Sequence, residues 1–243
     1  MLSKCIKAEN LKLRHSCIWM ACAAIPIIPA IMGTFNYLNN LGLLQSEWYS
    51  LWTQITLFYS SLFYAPLIGL YCSYLWRLEH LNNNWNVLMT TPVPVRNVFL
   101  AKLAVVFKVT LLTQLWVGAL YFVCGKLCHL PGFIPLQILI WLIRGTLAAA
   151  AVGTCQLLLS MVIRSFAVPI GIALAGSIIG FILSNKGLSM YWPYSVMLLG
   201  MNANHSEDSL QQSLIPFLIS LCVFFLVFTG ISIWYLKKKD VRA

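Results

Sequence analysis

Six long apolar runs, nearly free of charge, decide what this chain can fold into. They cover residues 17–37, 51–76, 98–124, 134–163, 166–184 and 214–236. A helix needs about 20 apolar residues to cross a bilayer, so each run predicts one span. Only Arg164 and Ser165 separate the fourth and fifth runs. One helix through both would be about 50 residues long, too long for one crossing, so a tight turn near Arg164 is required. Pro26 and Pro29 predict a kink in the first span. Lys4, Lys7, Lys12 and Arg14 ahead of that run resemble the start of a signal peptide, but the run is long for one and Ala21-Cys22 lacks a lipobox, which predicts a retained span.

Composition narrows the class. Of the 243 residues, 60% are hydrophobic and 9% are charged, where a soluble domain carries about 25% charged residues. The expectation is an all-α membrane protein, residues 1–243 forming a single transmembrane domain with no room for an ATPase or protease domain. The net charge of +10 does not point to nucleic acid, because the basic residues flank apolar runs. Four precede the first span, Arg77 and Arg96 lie between the second and third, Arg164 lies between the fourth and fifth, and Lys237, Lys238, Lys239 and Arg242 follow the last. The intervening loops carry Glu47, Lys126, and Lys186 against Glu207 and Asp208. By the positive-inside rule, six spans with both termini cytoplasmic satisfy every loop. Residues 1–16, with Leu2, Ile6 and Leu13 near one face and Glu9 interrupting it, predict an amphipathic helix on the cytoplasmic leaflet.

The stretch Arg77–Lys102 is the most polar part of the middle of the chain. If Glu79–Met89 is helical, Leu81, Trp85 and Leu88 share one face and Asn82, Asn83 and Asn86 the other. Thr90, Thr91, Pro92 and Pro94 stop that helix. Such a helix between two spans either lies on the headgroups or presents a plug to a soluble partner. The order of a Glu at the membrane exit, an Asn-rich helix, Leu-Met-Thr-Thr-Pro-Val, a basic residue and then Lys102 resembles the cytoplasmic coupling segment of ABC-2-type ABC transporter permeases. The opening Lys7-Ala-Glu-Asn-Leu-Lys-Leu-Arg14 and the patch Glu47-Trp-Tyr are similar to permease subunits of lantibiotic-immunity and bacitracin-resistance type.

The resemblance implies a coupling helix between spans 2 and 3, with Leu81, Trp85 and Leu88 docking a partner and Glu79 and Arg96 fixing its ends. It implies an ABC ATPase in two copies, holding ATP and Mg that this chain does not bind, and a second, homologous permease subunit. It implies a multi-pass protein of the bacterial plasma membrane, surrounded by lipid, that expels antimicrobial peptides. Residues 185–213 resemble an external re-entrant hairpin. Its Tyr191, Trp192 and Tyr194, joined by Trp48, Tyr49 and Trp52, are expected to form an outer aromatic surface.

Few residues suggest chemistry. Arg144 lies deep in the fourth span, where a charge faces a transport path, a subunit interface or water, or else snorkels. Lys108 raises the same question. No H-E-x-x-H, G-x-S-x-G or P-loop is present, and no acid lies inside a predicted span, so no catalysis is expected here. Cys124, Cys128 and His129 lie close together, but no second cluster completes a metal site. The alternatives are an exporter of another amphiphile, such as a lipid or a drug, and a membrane shield or sensor that does not transport.

Overall fold

The computed structural model describes residues 1–81, 84–85, 90, 92–205 and 214–238. Asn82, Asn83, Asn86, Leu88, Met89 and Thr91 of the polar stretch lie outside the described residues, as do Glu207, Asp208, Lys239 and Arg242. The described residues form helices α1 (Leu2–Leu13), α2 (Ile18–Ala24), α3 (Ile27–Asn39), α4 (Glu47–Phe58), α5 (Tyr64–His80), α6 (Val95–Leu127), α7 (Leu136–Val162), α8 (Ala167–Asn185), α9 (Pro193–Gly200) and α10 (Leu214–Lys238). They supply six helical stretches long and apolar enough to cross a membrane: α2–α3, α4–α5, α6, α7, α8 and α10.

Proline shapes two of these. Residues 25 and 26 break the first span into α2 and α3, because Pro26 has no amide for the carbonyl one turn back. In the second span a π turn, Tyr59–Phe63, joins α4 to α5. It lies just before Pro66 and widens the helix where the proline ring crowds the preceding turn. Four residues outside any helix, 163–166, separate α7 from α8 and supply the turn that a bilayer's thickness requires.

Packing is inverted relative to a water-soluble bundle. Leu115, Ile143, Ile215 and Leu226 are each more than 60% exposed. Thr56, Ser60, Thr110, Thr113, Thr154, Gln156 and Ser177 are buried. Lipid satisfies the outer apolar faces and leaves the interior to close packing and interhelical hydrogen bonds. Tyr71 Oη lies 2.9 Å from Thr113 Oγ1 and Ser73 Oγ lies 3.2 Å from Ser160 Oγ, joining α5 to α6 and α7. Gly33 brings α3 against α4 so closely that a Cβ there would lie 2.4 Å from Ile55 Cα. At the centre, α7 touches α5, α6, α9 and α10, while α8 leans on α5. The hairpin after α8 turns inward: every residue of α9 is buried.

Candidate functional site

The densest polar arrangement sits where the second span ends. Residues 2, 6, 9 and 13 are spaced to share one face of α1, and the third of them is Glu9. Glu9 is 5% exposed because that face rests on α6, where it meets Lys102. The interruption read in the apolar stripe is therefore a charged contact.

Lys102 is fully buried. Its Nζ lies 3.0 Å from Glu9 Oε2 and 2.9 Å from Glu79 Oε1, and it donates to Leu75 O at 3.1 Å. Lys12 Nζ lies 2.7 Å from Glu9 Oε1 and 2.5 Å from Glu79 Oε1. Two acids and two lysines thus alternate and balance, tying α1, the end of α5 and the start of α6 together. Burial works against the Lys12 ammonium, but the Glu9 and Glu79 carboxylates outweigh it and hold the group above the ordinary lysine value of 10.5. A raised lysine contributes stability fully below that value and loses it as pH climbs past it. The Lys12 contribution is therefore complete at neutral pH.

Aromatic rings extend the knot into the connecting segment. Lys102 Nζ sits 4.8 Å from the Trp76 ring centroid. Trp76 stacks on Trp85 at 5.1 Å and 14°. Trp85 Nε1 donates to His80 Nδ1 at 2.9 Å, and His80 Nε2 lies 3.0 Å from Ser160 O of α7. Accepting at Nδ1 and facing a carbonyl at Nε2, His80 fits the neutral tautomer protonated on Nε2. Arg77 lies over the Phe166 ring at 5.2 Å, adding a tie to the start of α8.

The placements correct several expectations. A continuous helix over Glu79–Met89 does not form: α5 runs to His80, Leu81 is extended at ψ 147°, and residues 84 and 85 are helical again. Leu81 and Trp85 therefore do not share a face. Leu81 is 46% exposed and Trp85 only 4%, because Trp85 is clamped by Trp76 and His80 instead of pointing outward. Glu79 faces Lys12 and Lys102, and Arg96 is exposed on the first turn of α6, away from that cluster. Lys108 donates to Asn10 of α1 at 2.8 Å, which places it beside the amphipathic helix. The sequence reading missed Glu9, Lys12, Trp76 and His80 as members of one network. The signal for Glu9 was its place on the apolar stripe.

The six aromatics do not make one outer surface. Trp48, Trp52 and Tyr194 are buried, Tyr49 and Trp192 are half-buried, and Tyr191 alone of the six is exposed. Their polar atoms are used as internal staples: Trp48 Nε1 donates to Pro131 O at 2.6 Å and Trp52 Nε1 to Met201 O at 2.9 Å. Gln156 Nε2 donates to Tyr194 Oη at 2.6 Å, and Trp192 Nε1 to Gly176 O at 2.8 Å. Arg144 is half-buried on α7. Its Nη1 is buried without a hydrogen-bond partner among the described residues, and its carbonyl abuts Gly200 of α9.

Residues 5–180 match the family model described as "ABC-2 family transporter protein". The chain belongs to the ABC-2 transporter family. The match runs from α1 into α8 and so contains the whole charged knot. No curated protein and no solved structure matches the chain. An ABC-2 permease is generally the non-catalytic membrane subunit that works with an ABC ATPase, and this chain is a multi-pass membrane protein of that family.

Proposed function

We propose that this permease is the membrane half of an ATP-driven exporter in a bacterial plasma membrane, and that it frees the membrane of lantibiotic-type antimicrobial peptides. Two ATPase copies and a second, homologous permease complete the assembly, and ATP and Mg are held by the ATPase. Both termini and the connecting segment face the cytoplasm. Supporting that orientation, α1, Arg77, Arg96, Arg164, Lys237 and Lys238 share one end of the bundle, against Lys126 and Lys186 at the other. A reporter fused at the connecting segment and found outside the cell would overturn it.

The observation that carries the reading is the knot of Glu9, Lys12, Glu79 and Lys102 beside Trp76 and Trp85. ATPase closure presses on the segment around Leu81, whose exposed side chain is free to meet a partner. Trp85 and His80 pass the displacement to α5, α6 and α7, and α1 moves with them as one body. Arg144 faces the transport path or the second permease, because exposure of its charge to acyl chains at that depth is unfavourable.

The test uses cells carrying this chain with a hydrolysis-dead partner ATPase. Protection against a lantibiotic is expected to be lost while cell-bound peptide rises above the level with the active complex. Undiminished protection would favour a passive shield and sink the transporter reading. In the same assay, Arg144→Leu is expected to insert and assemble normally yet lose protection, and wild-type protection would show that Arg144 only snorkels.

A further inference from the structure

Lys108, Leu111, Leu112 and Leu115 recur at helical spacing on α6 and share one face. All four are exposed. Leucines exposed on a membrane-spanning helix face acyl chains, so Lys108 leaves the bundle on the lipid side. At 1.5 Å per residue it lies about 9 Å along α6 from Lys102, with Leu115 about 10 Å further on. Its stem reaches toward the end of the bundle where α1 lies: Lys108 Nζ donates to Asn10 Oδ1 at 2.8 Å. The Asn10 amide nitrogen is already committed to Ile6 O at 2.9 Å. Lys7 stands one turn before Asn10 and Arg14 one turn after it, and both are exposed. Three cations therefore gather round one neutral amide.

Nothing in the bundle balances them. Glu9 and Glu79, the acids beside α1, are held by Lys12 and Lys102, and Lys7, Arg14 and Lys108 make no ion pair among the described residues. A charge at the edge of the hydrocarbon layer is costly without a counter-charge. The balancing group must be anionic, must lie at headgroup level and must tolerate exposed leucines directly alongside. A phospholipid phosphate whose acyl chains run along Leu111, Leu112 and Leu115 meets all three conditions, whereas a soluble acid meets the first alone. A zwitterionic headgroup brings its own cation against Lys7 and Arg14, so a lipid of net negative charge fits better.

We propose that Lys7, Asn10, Arg14 and Lys108 form a headgroup site for one anionic phospholipid. Lys108 is the selective member, because it stands on the lipid-facing stripe and its bond to Asn10 fixes its ammonium beside α1. Positions 10 and 12 lie about 200° apart round a helix, so the lipid ties α1 to α6 on the flank opposite Lys12. The inference rests on this cluster and is independent of the export reading and of which side of the membrane α1 meets.

The experiment titrates the full chain, in a mild detergent, with phosphatidylglycerol or phosphatidylcholine and counts bound lipid by native mass spectrometry. At the tightest site phosphatidylglycerol is expected to bind roughly tenfold or more tightly than phosphatidylcholine. Lys108→Leu is expected to weaken phosphatidylglycerol binding about fivefold, the effect of one basic residue at a membrane surface. Lys108→Arg keeps the cation and is expected to keep the affinity. Lys126→Leu, which removes a cation at the other end of α6, is expected to change nothing. Equal affinity for the two lipids overturns the proposal. So does a phosphatidylglycerol preference that survives Lys108→Leu, which would assign it to basic residues elsewhere. Displacement of phosphatidylglycerol by inorganic phosphate at equal concentration would show a site for free anions that makes no use of acyl chains, and also overturns it.

Discussion

Lys102→Met is expected to destabilise the protein by about 3–5 kcal/mol, the usual result of deleting one member of a buried ion pair. The side chain is fully buried and lies between two acids, each 5% exposed. Methionine keeps the apolar stem but leaves Glu9 and Glu79 facing each other with Lys12 alone to balance them. One acid must then take a proton, or α1 must leave. Departure of α1 would speed thiol labelling of Cys5, which is half-buried, and trypsin cleavage at Lys4 and Lys7. Adding Glu9→Gln and Glu79→Gln to Lys102→Met removes the uncompensated charge and is expected to restore most of the stability, because neutral replacements of a buried ionic cluster are often tolerated. If Lys102→Met alone melts at the wild-type temperature and labels Cys5 at the wild-type rate, the knot does not hold α1.

Trp85→Ala is expected to cost about 3–5 kcal/mol where the connecting segment docks, the range for truncating a buried Trp. It removes the stack on Trp76 and leaves His80 Nδ1 without its donor. Trp76 then loses the ring stacked on it. Hydrogen exchange at residues 77–81, 84 and 85 should accelerate strongly, while the spans stay protected. Under the proposed function, ATP hydrolysis by the assembled complex should continue while protection falls, since the push no longer reaches α5 and α7. Leu81→Ala, at an exposed position, should leave exchange unchanged and change stability by no more than about 0.5 kcal/mol. Protected amides in Trp85→Ala together with full resistance would show that the ring transmits nothing.

Much of the architecture could be read from residues near one another in the chain. Span number follows from run length and hydropathy, because lipid accepts only segments that pair their own backbone. The break at Pro26 and the turn at Arg164 follow from local stereochemistry and from the thickness of a bilayer. The family resemblance also rested on short contiguous patches and was legible for the same reason.

The direction in which a polar or aromatic side chain points was decided by partners far away in the chain. Glu79 meets Lys12 across 67 positions, Lys102 meets Glu9 across 93, and Trp52 reaches Met201 across 149. Pattern alone turned Trp85 toward a partner and Trp48, Trp52 and Tyr194 toward the outer surface, because amphipathic rings suit an interface. Packing turned them inward instead, since each polar edge found a carbonyl, amide or imidazole nitrogen within the bundle. By itself the sequence determined that six apolar helices cross a bilayer and that basic residues gather at one end. Only the tertiary structure decided that Glu9 of the amphipathic helix α1 and Lys102 of the third span join, because a buried charge is stable only where an opposite charge is brought to meet it.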